Sequence, residues 1–389
     1  MSRKAGLAKK IAHTLMAMSI VYSSGINIVI NEAYAAEKTV DITNSSGGTR
    51  FEETGKDGAD FTSGGKITDG ESASIVGIIK DGTVTNDISV TAKGGNGGTD
   101  DEYNPTVMEG TKGGDAFAKV TVDESKNNVA LGNITVKATG GSQGSTYMGK
   151  GQLSGAAAAY GLEVKHDLTI NAQKITVESS SIAQDEDIVD TGSGKRKDVL
   201  AVGLQIDSGN VKFSGTGGIE IDAQNEYYSR SFRGDIKMAD IKDALLSDGG
   251  DTEAYGIRIA GGQADIVLGG NLAFKNANNG TNYLYVGYNK SVGAAATTGK
   301  AADGGNGGAT TAYGVEISGG LAHLELQDIE SLVVNSNYFA GGCGGTGQSI
   351  EKQAGQEAIA AMGGLGGQMK FAGVHTTAVS YTHLTLPTI

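Results

Sequence analysis

Side chains that could carry chemistry are few in this chain and do not group. Its 389 residues include five His and a single Cys. Cys343 lies within Gly341–Gly345, where no neighbouring charge would activate its thiol. His166 follows a lysine in a Lys-His-Asp turn, and His323 alternates with a leucine, which predicts an outward side chain. Because no nucleophile, base and orienting group can be assembled, the sequence predicts a protein that is not an enzyme and holds neither cofactor nor metal.

One set of polar residues nevertheless shares a position in a repeated pattern. Each lies two residues after a recurring glycine, and the set is Glu163, Gln205, Arg258 and Glu316. Elongated repeat enzymes that cleave polysaccharides collect carboxylates and basic groups on one outer face, so this set makes that enzyme class an alternative. Mixed charges at outward positions are more often a solvated surface, and we expect a solvated surface here.

A short motif suggests binding. Arg233, Gly234 and Asp235 follow an aromatic and basic run and form a candidate binding loop of the kind that integrins recognise. A match of three residues arises easily by chance in a chain rich in Gly and Asp.

Two glycine clusters resemble calcium-binding roll repeats only superficially. Gly94–Gly98 and Gly304–Gly308 both read Gly-Gly-Asn-Gly-Gly. Calcium rolls need tandem nonapeptides with a regularly placed Asp, which neither cluster supplies. We therefore expect flexible surface loops.

The elements that would position these residues come from an internal repeat. A unit opens with an aromatic residue or Val, then Gly, then an alternating aliphatic pair, and two more aliphatic pairs follow. The clearest units open at Tyr160 and Gly161, Val202 and Gly203, Tyr255 and Gly256, and Tyr313 and Gly314. Weaker units open at Val76 and Gly77, Phe117 and Ala118, and Phe371 to Gly373, which makes about seven.

Alternation of apolar and polar residues is the signature of a strand with one buried face. Three short strands per unit predict an all-β fold, a right-handed parallel β-helix with long Gly-rich loop insertions and one coil per unit. The inward residues Leu162, Leu204, Ile257 and Val315 would form an aliphatic ladder. Tyr160, Tyr255 and Tyr313 would form an aromatic column at a corner, and the repeated glycines would supply a bend through positive φ or close approach. An antiparallel sandwich is the alternative, but the fixed offsets disfavour it.

The N-terminus predicts export. Four basic residues precede a mostly apolar stretch, and the small residues Ala33 and Ala35 define a cleavage site, so residues 1–35 form a signal peptide with a helical apolar segment. Loss of four bases and one acid with it takes the formal net charge from −13 to −16. Such a surface repels phosphate backbones, so no nucleic-acid partner is expected.

A signal peptide, an acidic, Gly-rich, Cys-poor chain and three-strand repeats together resemble the passenger domains of bacterial autotransporter adhesins. The resemblance implies a right-handed β-helix, secretion through the Sec pathway, and a place on the outer-membrane exterior of a Gram-negative cell. It also implies a C-terminal β-barrel translocator, which these residues do not contain and which we expect in the full-length protein. Residues 376–389 abandon the Gly-rich composition and are predicted to be a non-native tail.

The predicted organisation is therefore a signal peptide (1–35), a β-helical passenger (36–375) and the tail (376–389). The predicted function is adhesion in host, cell–cell or biofilm contact, with a surface glycan or protein as the partner. A secreted polysaccharide-degrading enzyme and a purely structural surface spacer remain the alternatives.

Overall fold

A computed structural model describes the part of the chain that carries most of the repeats. It covers residues 37–44, 49–61, 66–99, 111–144, 154–182, 198–228, 250–274, 288–290, 308–327, 329–330, 368–377 and 382–385. Every regular element in these residues is a β-strand, and no helix among them is long and apolar enough to cross a membrane. The predicted signal peptide with Ala33 and Ala35, the motif Arg233 to Asp235, and Cys343 lie outside the described residues.

The strands form three parallel sheets, and consecutive strands of one unit go to different sheets. The first sheet contains, in spatial order, β1 (Lys38–Ile42), β3 (Ala73–Ile79), β6 (Ala116–Val122), β9 (Ala157–Val164), β12 (Val199–Ile206), β15 (Thr252–Ile259), β19 (Thr310–Ile317) and β22 (Met369–Thr376).

The second and third sheets repeat this order. The second contains β4 (Thr83–Val84), β7 (Asn128–Leu131), β10 (Leu168–Ala172), β13 (Asn210–Gly215), β16 (Gln263–Leu268), β20 (Leu321–Glu325) and β23 (Thr382–Thr385). The third contains β2 (Thr49–Thr54), β5 (Ile88–Lys93), β8 (Ile134–Thr139), β11 (Ile175–Ile182), β14 (Ile219–Tyr228), β17 (Leu272–Phe274) and β21 (Ile329–Glu330). A short strand, β18 (Tyr288–Lys290), pairs with the end of β14.

Equivalent residues of successive units pair directly, which confirms the predicted aliphatic ladder. Leu204 pairs with Leu162 on one side and with Ile257 on the other, and Ile257 pairs with Val315. All four are fully buried. One continuous apolar cluster takes side chains from all three sheets, including Leu162 from the first, Ile170 from the second and Ile175 from the third. The alternating pattern therefore defines a common interior for the stacked units.

The repeated glycine is an extra residue in the strand. Lys119 of β6 pairs with Tyr160, and Thr121 pairs with Glu163, so β9 has one more residue between these pairs than β6 has. This irregularity is a β-bulge at Gly161. A Cβ at Gly161 would lie 2.5 Å from the carbonyl oxygen of Gly203.

Two details of the prediction at this position are wrong. The bulge glycines do not have positive φ; Gly209, Gly218, Gly262 and Gly320, which lie in the turns, do. The bulge therefore excludes a side chain by crowding. The tyrosines occupy the outer face within their strands and not a corner, because Tyr160 is paired with Val202, and Val202 with Tyr255, inside the ladder.

The first sheet has eight described strands, one more than the seven units counted in the sequence. β1 is the additional one, and it pairs in register with β3. Gly77 is not a bulge glycine, since it pairs with Val120 of β6 in a regular ladder, and a Cβ there would lie 2.7 Å from the Cδ1 of Ile42. At the other end, Val374 pairs with Val315. Residues 382–385 of the predicted tail pair with β20; their non-native origin stays a prediction.

The long intervals between strands all fall at the same junction. Turns of two or three residues separate β9, β10 and β11, at 165–167 and 173–174. The intervals that separate a third-sheet strand from the next first-sheet strand are much longer: 55–72, 94–115, 140–156, 183–198, 229–251, 275–309 and 331–368. Among their described residues, β18 is the one strand. The long insertions therefore leave from one junction of each unit, and the other two junctions are short turns.

Candidate functional site

The structure describes glycine-rich segments in the first three of these insertions. We use the name glycine array for residues 55–61, 68–72, 93–99, 111–115, 139–144 and 154–156. Backbone donors recur every third residue: the amides of Gly55, Gly58 and Phe61 donate to the carbonyls of Lys93, Asn96 and Thr99 at 2.6–2.8 Å. A period of three residues is that of an extended polyproline-II-type helix. Such a helix has no internal hydrogen bonds, so its backbone groups must pair with neighbouring segments of the protein.

The array has two layers. Segments that leave the third sheet run parallel to one another, as the bonds from the Gly94 and Gly97 amides to the Thr139 and Ser142 carbonyls show. Segments that return to the first sheet run antiparallel to them. In that direction, the Gly141 and Gly144 amides donate to the carbonyls of Gly114 and Thr111 at 2.8 and 3.0 Å.

Close packing explains why this segment is glycine. A Cβ atom would overlap a backbone carbonyl oxygen of an adjacent segment at each of Gly94, Gly95, Gly98 and Gly141. All four are buried. The expectation of a flexible loop at Gly94–Gly98 is therefore wrong, because its backbone groups are paired within the array. Of Gly304–Gly308, only Gly308 is described.

Side chains fix the stacking of the array. The Asp57 carboxylate accepts a hydrogen bond from the Asn96 amide at 2.7 Å. The Asn96 side-chain oxygen accepts in turn from the Ser142 amide at 3.0 Å. In the returning layer, the Asp115 carboxylate accepts from the Ala156 amide at 2.7 Å. Each bond joins one unit to the next, so these residues set the register of the insertions.

The predicted polar set lies on the outer face of the first sheet as a paired ladder, but it is not solvated. We call Glu163, Gln205, Arg258, Glu316 and His375 the first-sheet column, because each pairs with the next across the sheet. Glu163, Gln205, Arg258 and Glu316 are only 9, 3, 3 and 7% exposed. The prediction that these residues form a solvated surface is therefore wrong. The alternating pattern shows that a side chain points away from the interior, but it does not show whether other residues cover that side chain.

Burial of these charges is offset by pairing. The Arg258 Nε donates to the Glu316 Oε2 at 2.7 Å. Glu163 contacts two ammonium groups, those of Lys119 at 2.9 Å and Lys165 at 3.1 Å. The Gln205 amide donates to Asp207 at 2.6 Å. Buried charges persist in proteins when they are paired and hydrogen-bonded in this manner.

Aromatic rings flank the column on the same face. The rings of Tyr255 and Tyr313 lie 5.9 Å apart edge to face, and the imidazole of His375 stacks on Tyr313 at 4.3 Å. The Arg258 guanidinium lies 4.9 Å from the Tyr255 ring centre, a cation–π distance. Tyr255 and Tyr313 form a second apolar cluster with Ala158, Leu200 and Val202.

Burial shifts the ionisation of several of these groups. It raises the pKa of the Asp207 carboxyl, although the hydrogen bond from Gln205 opposes the shift. It likewise raises the pKa of Glu253, whose carboxylate accepts from the Tyr255 hydroxyl at 2.9 Å. In both cases burial disfavours the charged form of the carboxyl group.

The outer face of the second sheet differs because it is exposed. Its central outward residues are Thr169, Asn171, Lys212, Ser214, Asp265 and Val267, which line a shallow groove along the stack. We call them the second-sheet face. The next unit adds His323, whose Nδ1 lies 2.8 Å from Asp265; this hydrogen bond raises the pKa of the imidazole. The outward side chain predicted for His323 is observed.

The predicted structural residues all take part in the first sheet. Tyr160, Tyr255 and Tyr313 lie on its outer face, and Gly161, Gly203, Gly256 and Gly314 each follow an outer-face residue of the ladder. Among the residues that the structure describes, no group of three or more His, Cys, Asp or Glu side chains could hold a metal ion.

Comparison with known proteins finds no matching family, no matching characterised protein and no matching solved structure.

Proposed function

We propose that the three sheets close into a right-handed parallel β-helix and that this rod is the passenger of an exported, autotransporter-like adhesin. Closure is supported by one continuous apolar cluster that takes side chains from all three sheets. It is also supported by the turns of two to five residues that join first-sheet to second-sheet and second-sheet to third-sheet strands, which are too short for a long excursion.

The observation that carries the adhesive function is the placement of every long insertion at one junction. An adhesin needs a rigid support that presents many similar contacts, because weak contacts then add through effective concentration. The glycine array would serve as a stiff ridge along one edge of the rod. Its paired backbone would reduce the entropy that a flexible loop loses on binding.

Surface display tests the adhesive function directly. The chain would be fused to an unrelated outer-membrane anchor, with a non-adhesive passenger of similar length on the same anchor as the control. We expect adherence to host cells, cell–cell aggregation or biofilm formation above that control. Equal behaviour of the two strains would favour a structural spacer and contradict the adhesive function.

A polysaccharide-degrading enzyme is the second candidate, and one observation favours it. Lys165 bridges two carboxylates of different environment, Glu163 at 3.1 Å and Asp207 at 3.9 Å. A pair of carboxyl groups on one face is the working arrangement of glycoside hydrolysis. Incubation of the purified chain with acidic and neutral polysaccharides separates the candidates: new reducing ends that disappear in Glu163→Gln or Asp207→Asn would establish the enzyme, and their absence supports the adhesin.

A further inference from the structure

Among the residues that the structure describes, no segment covers the second-sheet face. Turns of two or three residues bound β10 on both sides, and the long insertions leave from the other junction. Asn171, Lys212 and Val267 are exposed, the last to 38%. This face is therefore accessible to a large ligand without displacement of the described residues.

The backbone of this face offers nothing to a peptide. β13 is hydrogen-bonded to β10 on one side and to β16 on the other, so its amides and carbonyls are engaged in the ladder. An extended peptide binds a sheet by adding a strand at a free edge, and this surface is a face. The face also lacks the apolar area that a hydrophobic helix would need, since Val267 is the exposed aliphatic side chain among its six residues.

The side chains match a chain of hydroxyl groups. Lys212 donates, Asp265 accepts, and the Asn171 amide does both. Thr169 and Ser214 add hydroxyls, and the methyl groups of Val267 supply a small apolar contact. Each sugar hydroxyl both donates and accepts, so a surface with mixed donors and acceptors suits it. The formal net charge of −13 disfavours an anionic polymer.

The spacing of the face suits a polymer with a repeat. Thr169, Lys212, Asp265 and His323 pair in sequence across the sheet. Successive strands lie about 4.8 Å apart, so polar groups recur at that interval along the stack axis. A linear chain along the axis would contact one set per unit, and the contacts would add.

We propose that the second-sheet face binds a linear neutral polysaccharide that lies along the stack axis. The proposal rests on the adhesive function and names its ligand class and its site. It assigns binding to a sheet face, separate from the glycine array at the insertion junction.

The test uses the full chain and measures binding by calorimetry to cello-oligosaccharides, laminarin and dextran, with polygalacturonate and an unstructured peptide library as comparisons. The double variant Asn171→Ala/Lys212→Ala removes two hydrogen-bonding groups and is expected to weaken binding about tenfold. The matched control is Thr135→Ala/Lys137→Ala, which likewise removes one neutral polar group and one ammonium group from outward positions, here on the third sheet. It is expected to bind as the wild type does.

The proposal would be overturned if the chain bound none of the neutral polysaccharides, if it bound only the anionic polymer or the peptides, or if both double variants lost affinity equally. Display of the same variants separates it from the adhesive function. Adherence that is undiminished by Asn171→Ala/Lys212→Ala would reject this site and leave the adhesin in place, whereas a wild-type chain without adherence would reject the adhesin itself.

Discussion

At the scale of single residues, the structure depends on positions where a side chain is excluded. Gly203 lies at the bulge of β12, next to the carbonyl oxygen of Gly256 and the Cγ2 of Ile219. Neither atom can move far, because the first belongs to the ladder and the second is fully buried. At the bulge, the backbone conformation itself does not require glycine, because φ is not positive. The space beside the Cα atom does, because it is too small for a side chain.

Gly203→Ala is accordingly expected to destabilise the protein by about 1–3 kcal/mol, the range for overpacking a well-packed interior. Urea unfolding followed by circular dichroism measures the loss. Gly82→Ala is the matched control, because a Cβ there would lie 3.5 Å from its nearest neighbour, the Asn128 carbonyl oxygen. A similar free energy of unfolding for both variants would show that the bulge is not crowded.

The buried ion pair makes a second prediction. Arg258→Met leaves the Glu316 carboxylate without its guanidinium at a site 10% exposed, and we expect a loss of about 3–5 kcal/mol in the free energy of unfolding. The double variant Arg258→Met/Glu316→Gln should regain part of it, since position 316 then carries no unpaired buried charge.

An exposed pair supplies the comparison. The Lys137 ammonium lies 2.7 Å from Glu178, with side chains 47 and 27% exposed, so Lys137→Met is expected to cost at most about 1 kcal/mol. If Arg258→Met were as mild as Lys137→Met, the first-sheet column would be hydrated, and its proposed pairing in a dry environment would be wrong.

At the scale of elements, the glycine array is the part of the molecule that the sequence did not reveal. Composition alone cannot separate a flexible glycine-rich loop from a packed one, because both need residues without side chains. A weak signal separates a packed glycine-rich segment from a flexible one. In the glycine array, backbone amide donors recur at intervals of three residues. The polar residues Asp57, Asn96 and Ser142 occupy equivalent positions on successive segments. Strands were easier to predict, since their inward residues share a fixed offset from the bulge glycine.

Hydrogen exchange tests the array. The amides of Gly94, Gly95, Gly97 and Gly98 donate to carbonyls of other segments and should exchange slowly, as the amides of sheet strands do. Gly141→Ala would place a Cβ against the Gly95 carbonyl and should abolish this protection while the amide of Ile170, within the second sheet, remains protected. Rapid exchange at Gly94–Gly98 in the wild type would restore the flexible-loop interpretation.

The first-sheet column shows the same limit on prediction from sequence. Alternation correctly assigned Glu163, Gln205, Arg258 and Glu316 to one outward register. It could not determine their exposure, because burial of an outer face depends on segments distant in sequence. Their near-complete burial was therefore missed, as was His375, which aligns with Glu316 only once β22 is placed in the ladder.

At the scale of the whole molecule, stability and proposed function both depend on stacking. Each unit pairs with the next through parallel ladders, and the side chains of one unit bury those of its neighbours. Such an assembly is approximately a sum of unit and interface terms. The same stacking aligns polar groups into columns, which is the basis for both the rigid ridge and the proposed polysaccharide track.

Distances between units measure that stacking most directly. Thr83, Ala130, Asn171, Ser214, Val267 and Glu325 form one outward column of the second sheet. Spin labels at Thr83→Cys and Val267→Cys, or at Thr83→Cys and Glu325→Cys, with Cys343→Ser, would be read by pulsed electron resonance. If the units are stacked, the distance distributions should be narrow. We expect about 19 Å for the labels at 83 and 267, which are four strand spacings apart, and about 24 Å for the labels at 83 and 325, which are five spacings apart. Broad distributions, or a Thr83–Glu325 distance shorter than the Thr83–Val267 distance, would contradict the stacking.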